Sequence, residues 1–143
     1  MENIEAIYRY LGVSRRNNVW SWGVATEEFV ILQVWSDERI KGSKRFYVLR
    51  DYQTTYKEDY ASNGLSERVE HLEQIRNGKP CYFLITQPNE QELALGNRVI
   101  ADFNKSSFLV SNGVFIEEEN GDTTLEYDDR ISLVDFKKRY SSD

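Results

Sequence analysis

The residues best suited to chemistry lie in one window, NNVWSWGVATEEFVILQVWSDE. It runs from Asn17 to Glu38 and holds all three tryptophans, Trp20, Trp22 and Trp35. Indole rings can enclose a flat ligand, and an extruded nucleobase needs aromatic walls with a few hydrogen-bonding groups beside them. Trp22 precedes Gly23, where the missing side chain admits a second backbone or a flat ring. Trp35 precedes Ser36, Asp37 and Glu38, polar groups at a strand end that can meet a base edge. Trp20, Trp22, Trp35 and Asp37 are therefore base-pocket candidates. Arg15, Arg16 and Asn17 upstream, with Lys41, Lys44 and Arg45 downstream, are candidates for contact with a phosphate backbone. The same rings would serve equally well as core packing, because buried aromatics carry large apolar area.

Other chemistry is sparse. The single histidine, His71, sits mid-helix beside Glu70 and Glu73 and reads as a locally satisfied surface or boundary residue. The single cysteine, Cys81, rules out an internal disulfide and any multi-cysteine zinc site. Its apolar run CYFLIT implies an inert buried thiol. No phosphate-cradling glycine loop, metal-ligand spacing or nucleophile–base motif occurs, so no catalytic residue, metal or cofactor is expected. A second candidate surface is acidic. Glu117, Glu118, Glu119, Asp122, Glu126, Asp128 and Asp129 crowd a turn-rich segment, ready to mimic nucleic-acid phosphates or to dock on a basic protein.

Bulk properties bound these readings. A chain of 143 residues suits a single domain, 1–143, and 40% apolar with 29% charged residues is ordinary globular composition. The formal charge of −6 opposes a generic phosphate-binding surface, although SRRNN and RIKGSKR are locally basic. The start MENIEAIYRYLGV lacks the basic and apolar blocks of an export signal, and no apolar run approaches a membrane span. A cytoplasmic protein without membrane contact is expected.

Ile4, Ile7, Tyr8 and Leu11 mark one face of an N-terminal helix that stops at Gly12. VWSWGVA and FVILQVW read as a hairpin, which would set Trp20, Trp22 and Val24 on one face. RFYVLR is a third strand, and residues 51–64 read as a long loop. LSERVEHLEQIRNG is the clearest helix, with Leu65, Val69, Leu72 and Ile75 or Arg76 inward and Gly78 as its stop. CYFLIT reads as a strand buried on both faces, PNEQELALGN as a short helix from Pro88, and RVIADF as a further strand. Asn112-Gly113 is the strongest hairpin signal, with a second turn at Asn120-Gly121. ISLVDFKKRYSSD closes as a short helix with a frayed 141–143 tail. The expected class is α+β: a twisted, mainly antiparallel sheet or open barrel with two principal helices.

The ordered blocks Arg16-Asn17, Trp20 to Gly23, Val34 to Glu38, and Asn63 to His71 resemble the N-terminal module of bacterial HNH endonucleases. The likeness covers most of the chain, but the HNH histidines are absent. It implies a non-catalytic nucleic-acid-recognition module in a restriction context, one that inspects modified or extruded bases on a PUA-like or SRA-like sheet. It also implies DNA and a nuclease as partners. The competing expectation is an interaction or inhibitor protein acting through the 117–129 hairpin. Oligomeric state is not legible.

Overall fold

The computed structural model describes residues 3–17, 21–50 and 59–140, with the backbone alone for 59–63. Trp20 and the 141–143 tail lie outside the described residues, as do residues 51–58 of the expected loop. The fold is α+β: a seven-stranded, mostly antiparallel sheet that does not close into a barrel.

Helix α1 (Ile4–Leu11) forms where expected. Asn3 caps its start by accepting from the Ala6 amide, and Gly12 ends it at φ 75°. Strands β1 (Gly23–Ala25) and β2 (Val30–Trp35) pair as the expected antiparallel hairpin. A 3-10 turn at Ser36–Glu38 leads to β3 (Arg45–Leu49). Helix α2 (Asp59–Arg76) then crosses back to β4 (Cys81–Pro88), which lies parallel to β2. Helix α3 (Glu90–Ala94) and β5 (Ile100–Phe103) make an excursion that returns along β4. The long strands β6 (Ser107–Glu117) and β7 (Thr123–Ser132) form a hairpin, and α4 (Leu133–Tyr140) closes the described chain.

The strand order is β1-β2-β4-β6-β7-β3, with β5 beside β4. Helices on both faces bury the sheet between two cores. One core joins Ile7 and Tyr8 of α1 with Phe136 of α4, over Phe29, Ile31, Tyr82, Leu84 and Phe108. The other joins Leu72 and Ile75 of α2 with Leu32, Phe46, Cys81, Phe83 and Leu125. Along β4, Cys81 and Phe83 enter one core while Tyr82 and Leu84 enter the other, as a strand covered on both faces requires.

Four expectations change. Helix α2 begins at Asp59, so 59–64 are helical rather than loop. Val69 is 47% exposed and does not belong to the inner face. That face instead carries Gly64, Glu67, Arg68, His71, Leu72 and Ile75, with polar groups where apolar ones were expected. Asn112-Gly113 is not a hairpin turn. It is a bulge inside β6, where the pairing jumps from Ser111↔Tyr127 to Phe115↔Leu125, and the true turn is at Asn120-Gly121. Gly113 supplies φ 78° there, and the Ser111 and Asn112 side chains accept from the Gly113 and Val114 amides. The local turn chemistry is thus met without ending the strand.

Candidate functional site

Arg16, Asn17, Ser21 and Trp22 meet Gly64, Glu67 and Arg68 beneath α2. Gly64 and Arg68 lie one turn apart and share a face. Trp22 packs on both: a Cβ at Gly64 would overlap its indole, and the Arg68 guanidinium lies 5.7 Å from the ring centroid. Arg68 Nη2 donates to the carbonyls of Trp22 (3.1 Å) and Gln33 (2.8 Å), and Nη1 donates to that of Val48 (2.9 Å). One buried cation therefore joins the N-terminal hairpin, β3 and α2. The expected common face for Trp22 and Val24 is not observed: Trp22 precedes β1 and turns to α2, while Val24 enters the core under α1. Gly23 is needed by a backbone, since a Cβ there would overlap the Ile31 carbonyl of β2.

Around this cation runs a polar network. Ser21 Oγ accepts from the Asn17 amide (2.9 Å) and donates to Glu67 Oε2 (3.2 Å). Glu67 is 3% exposed, and among the described residues its Oε1 has no hydrogen-bond partner. Burial raises its pKa, against the opposing pull of Ser21 and Arg16. Arg16 bridges Glu67 (3.7 Å) and Glu70 (3.3 Å). Arg15 pairs with Glu5 and lies over the Tyr8 ring, and the Tyr8 hydroxyl donates to Gln33. Of the backbone-contact candidates, Arg16 ties the α1–β1 connection to α2, Arg15 ties it back to α1 and β2, and the Asn17 amide closes on Ser21. His71 corrects its expectation: it is only 4% exposed, and Nδ1 has no hydrogen-bond partner among the described residues. Burial, with Arg68, Arg16 and Lys79 nearby, pushes its pKa down to about 4, so the ring is neutral at pH 7. The same burial pushes the Cys81 thiol far up.

Trp35 and Asp37 sit elsewhere, at the carboxyl end of β2. Arg98 reaches them from the stretch between α3 and β5. It donates from Nη1 and Nη2 to the two Asp37 oxygens, 2.9 Å each, and lies 3.2 Å from Glu38. Its guanidinium is 5.1 Å from the Trp35 ring centroid. The Arg98 hydrogen bonds hold the Asp37 carboxyl below the usual carboxylate range. Beside it Arg50 donates to Glu38 (2.6 Å) and lies over Tyr47, 4.3 Å from the centroid. Trp22 and Trp35 therefore serve two different clusters. Two shallow depressions, about 380 and 320 Å³, flank the Gly78–Pro80 turn, and neither is lined by a tryptophan. Lys41 and Lys44 are exposed in the turn before β3, whereas Arg45 is engaged with Thr124 and Glu126.

The acidic segment divides in use. Glu117 accepts from Arg76 (2.8 Å), and Glu126 accepts from Arg45 (3.1 Å) and Asn112 (2.6 Å). Glu118 accepts from the Tyr47 hydroxyl at 3.4 Å, and Asp122 is buried. Glu119, Asp128 and Asp129 face solvent. The strand that carries this surface leaves its neighbour early. β6 pairs with β4 at Leu109 and Val110, and from the Ser111 bulge outward its ladder partner is β7 alone. The smaller depression opens at that divergence, lined by Ile75, Arg76, Lys79, Cys81 and Ser111 to Gly113. Val114 and Ile116 beyond it are exposed.

No protein-family model matches the chain, and no curated relative or solved structure shows significant similarity to it. Among the described residues no group of three or more potential ligands could hold a metal ion, and no helix is long and apolar enough to cross a membrane. Sequence reasoning missed Glu67, Arg68 and Arg98. The first two were signalled by charges interrupting the 3.6-residue pattern of α2, and nothing in the local sequence singles out Arg98.

Proposed function

We propose that the protein is a non-catalytic protein-interaction module whose binding element is the outer half of the β6–β7 hairpin. The observation that carries this reading is the departure of β6 from β4 at Val110, after which no described residue from Ser111 to Glu117 pairs with β4, while β7 holds Ser111 and Phe115 to Glu117. An open edge beside a groove accepts an extended segment by main-chain pairing, and exposed alternate side chains add selectivity. Val114 and Ile116 supply apolar contact, and Glu119, Asp128 and Asp129 supply negative potential for a basic partner. The test is affinity capture from a lysate of the source cells with three baits: wild type, Val114→Lys/Ile116→Lys, and Glu119→Lys/Asp128→Lys. Proteins retained by wild type, lost by both variants and released by salt support the reading. A retained set indifferent to both variants overturns it.

A second reading is nucleic-acid recognition of the HNH-associated kind. Half-buried Trp35 beside Asp37, with exposed Lys41 and Lys44 in the following turn, favours it. It requires Arg98 to leave the Trp35 face, and it must work without Arg15, which is largely buried against Glu5, while Arg16 stays exposed in its pair with Glu70. A gel shift on plain and cytosine-modified duplexes at two salt concentrations tests it, and absence of binding at low salt ends it.

A further inference from the structure

The corner made by Trp35, Asp37 and Glu38 is built around a guanidinium. Both Asp37 oxygens accept from one fork at equal 2.9 Å distances, Glu38 approaches its second nitrogen at 3.2 Å, and the Trp35 ring backs the plane. Two-point pairing plus an aromatic face fits the planar five-donor arginine head, whereas an ammonium satisfies one oxygen at a time. The group filling the corner comes from a lightly held excursion. Leu95 is 74% exposed, and Val99 and Ile100 are exposed as well. Next to the corner a second guanidinium, from Arg50, shares Glu38 and lies on Tyr47.

We propose that this corner is a receptor for an arginine side chain of a partner polypeptide, and that Arg98 is a resident stand-in displaced on binding. The inference builds on the interaction-module reading but uses a different surface from the hairpin. It names the partner chemistry: an arginine-bearing, extended, basic segment. The Asp37 and Glu38 carboxylates supply the charge complementarity for such a segment, and the two-point fork selects arginine over lysine. Displacement of Arg98 removes its ion pairs between the 89–99 excursion and the Ser36–Glu38 turn.

The experiment measures binding of fluorescein-labelled (Gly-Arg)4 and (Gly-Lys)4 peptides by anisotropy at fixed salt. The proteins are wild type, Arg98→Ala, Arg98→Gln, Arg98→Ala/Asp37→Asn, and Arg98→Ala/Glu119→Lys/Asp128→Lys. Removing the stand-in is expected to tighten the arginine peptide by about tenfold in both single variants, with a much smaller gain for the lysine peptide. Asp37→Asn cancels the gain, and the hairpin substitutions leave it in place. Equal affinities for wild type and both Arg98 variants overturn the proposal, as does an equal gain for lysine or a gain that survives Asp37→Asn. Loss of the gain on the hairpin substitutions assigns the arginine to the hairpin instead, which rejects this corner while sparing the module reading.

Discussion

Arg68 covers the Trp22 indole at 5.7 Å and at the same time donates to the Trp22 carbonyl at 3.1 Å, so a single side chain grips both ends of that residue. Its other acceptors, the carbonyls of Gln33 and Val48, belong to different strands. Arg68→Lys keeps the charge but cannot span the three carbonyls. The Trp22 carbonyl keeps the Gln33 amide as a donor, and because a buried acceptor that loses its donor costs about 1–3 kcal/mol, the variant is expected to lose about 2 kcal/mol in urea unfolding. A midpoint indistinguishable from wild type would remove the clamp from the account.

Gly64→Ala tests the second contact that α2 makes with the ring. Within a helix the change would ordinarily gain about 1 kcal/mol. Here the added methyl overlaps the Trp22 indole, and overpacking of this sort costs about 1–3 kcal/mol, so net destabilisation is expected. Adding Trp22→Leu should restore the ordinary helix gain, read as a positive coupling in a double-mutant cycle.

His71 makes stability depend on pH. Its folded pKa, about 4, lies below the ordinary 6.5, so the unfolded chain binds the proton first. Stability is complete above pH 6.5 and declines as pH falls toward 4, by about 3 kcal/mol at 1.4 kcal/mol per unit. Glu67 acts in the other direction: its raised pKa means the folded state takes up its proton earlier, so its unfavourable burial is relieved on acidification. Denaturation of His71→Phe across this range should show the decline abolished or reversed, and an unchanged slope would exclude the histidine as its source.

The Cys81 thiol is buried with its pKa raised by desolvation. A disulfide reagent at pH 8 is expected to label the native protein only at the rate of unfolding, and to label it stoichiometrically in denaturant. Rapid native labelling would show that the β4 face opens to solvent.

The legible parts were those where a local rule and the tertiary demand coincide. Asn3 and Gly12 bound α1 because cap chemistry is settled within a few residues. The CYFLIT run is doubly buried because nothing else accommodates so many adjacent apolar groups. The inner face of α2 escapes the apolar pattern because Glu67 and Arg68 occupy it for partners distant in sequence, among them Ser21 and Gln33, and His71 is buried beside them. Asn112-Gly113 carried a genuine turn signal, yet the β7 ladder and Leu125 under Phe115 kept the strand running through it. Grouping the tryptophans by sequence also failed for Trp22 and Trp35. The former turns to α2 and the latter stands at a strand end where Arg98, from a distant excursion, meets it.

The placement of β3 carries a cost during synthesis. Its ladder partner is β7, and the Arg45–Glu126 pair spans 81 residues. A nascent chain that has emitted β1 to β5 can set Phe46 against Phe83 but still lacks the β7 ladder that anchors β3, so that edge stays unpaired until Thr123–Ser132 emerges. Fragments that stop before Thr123 should accordingly be recovered as aggregates, which makes the C-terminal hairpin the arbiter of whether the chain survives its own translation.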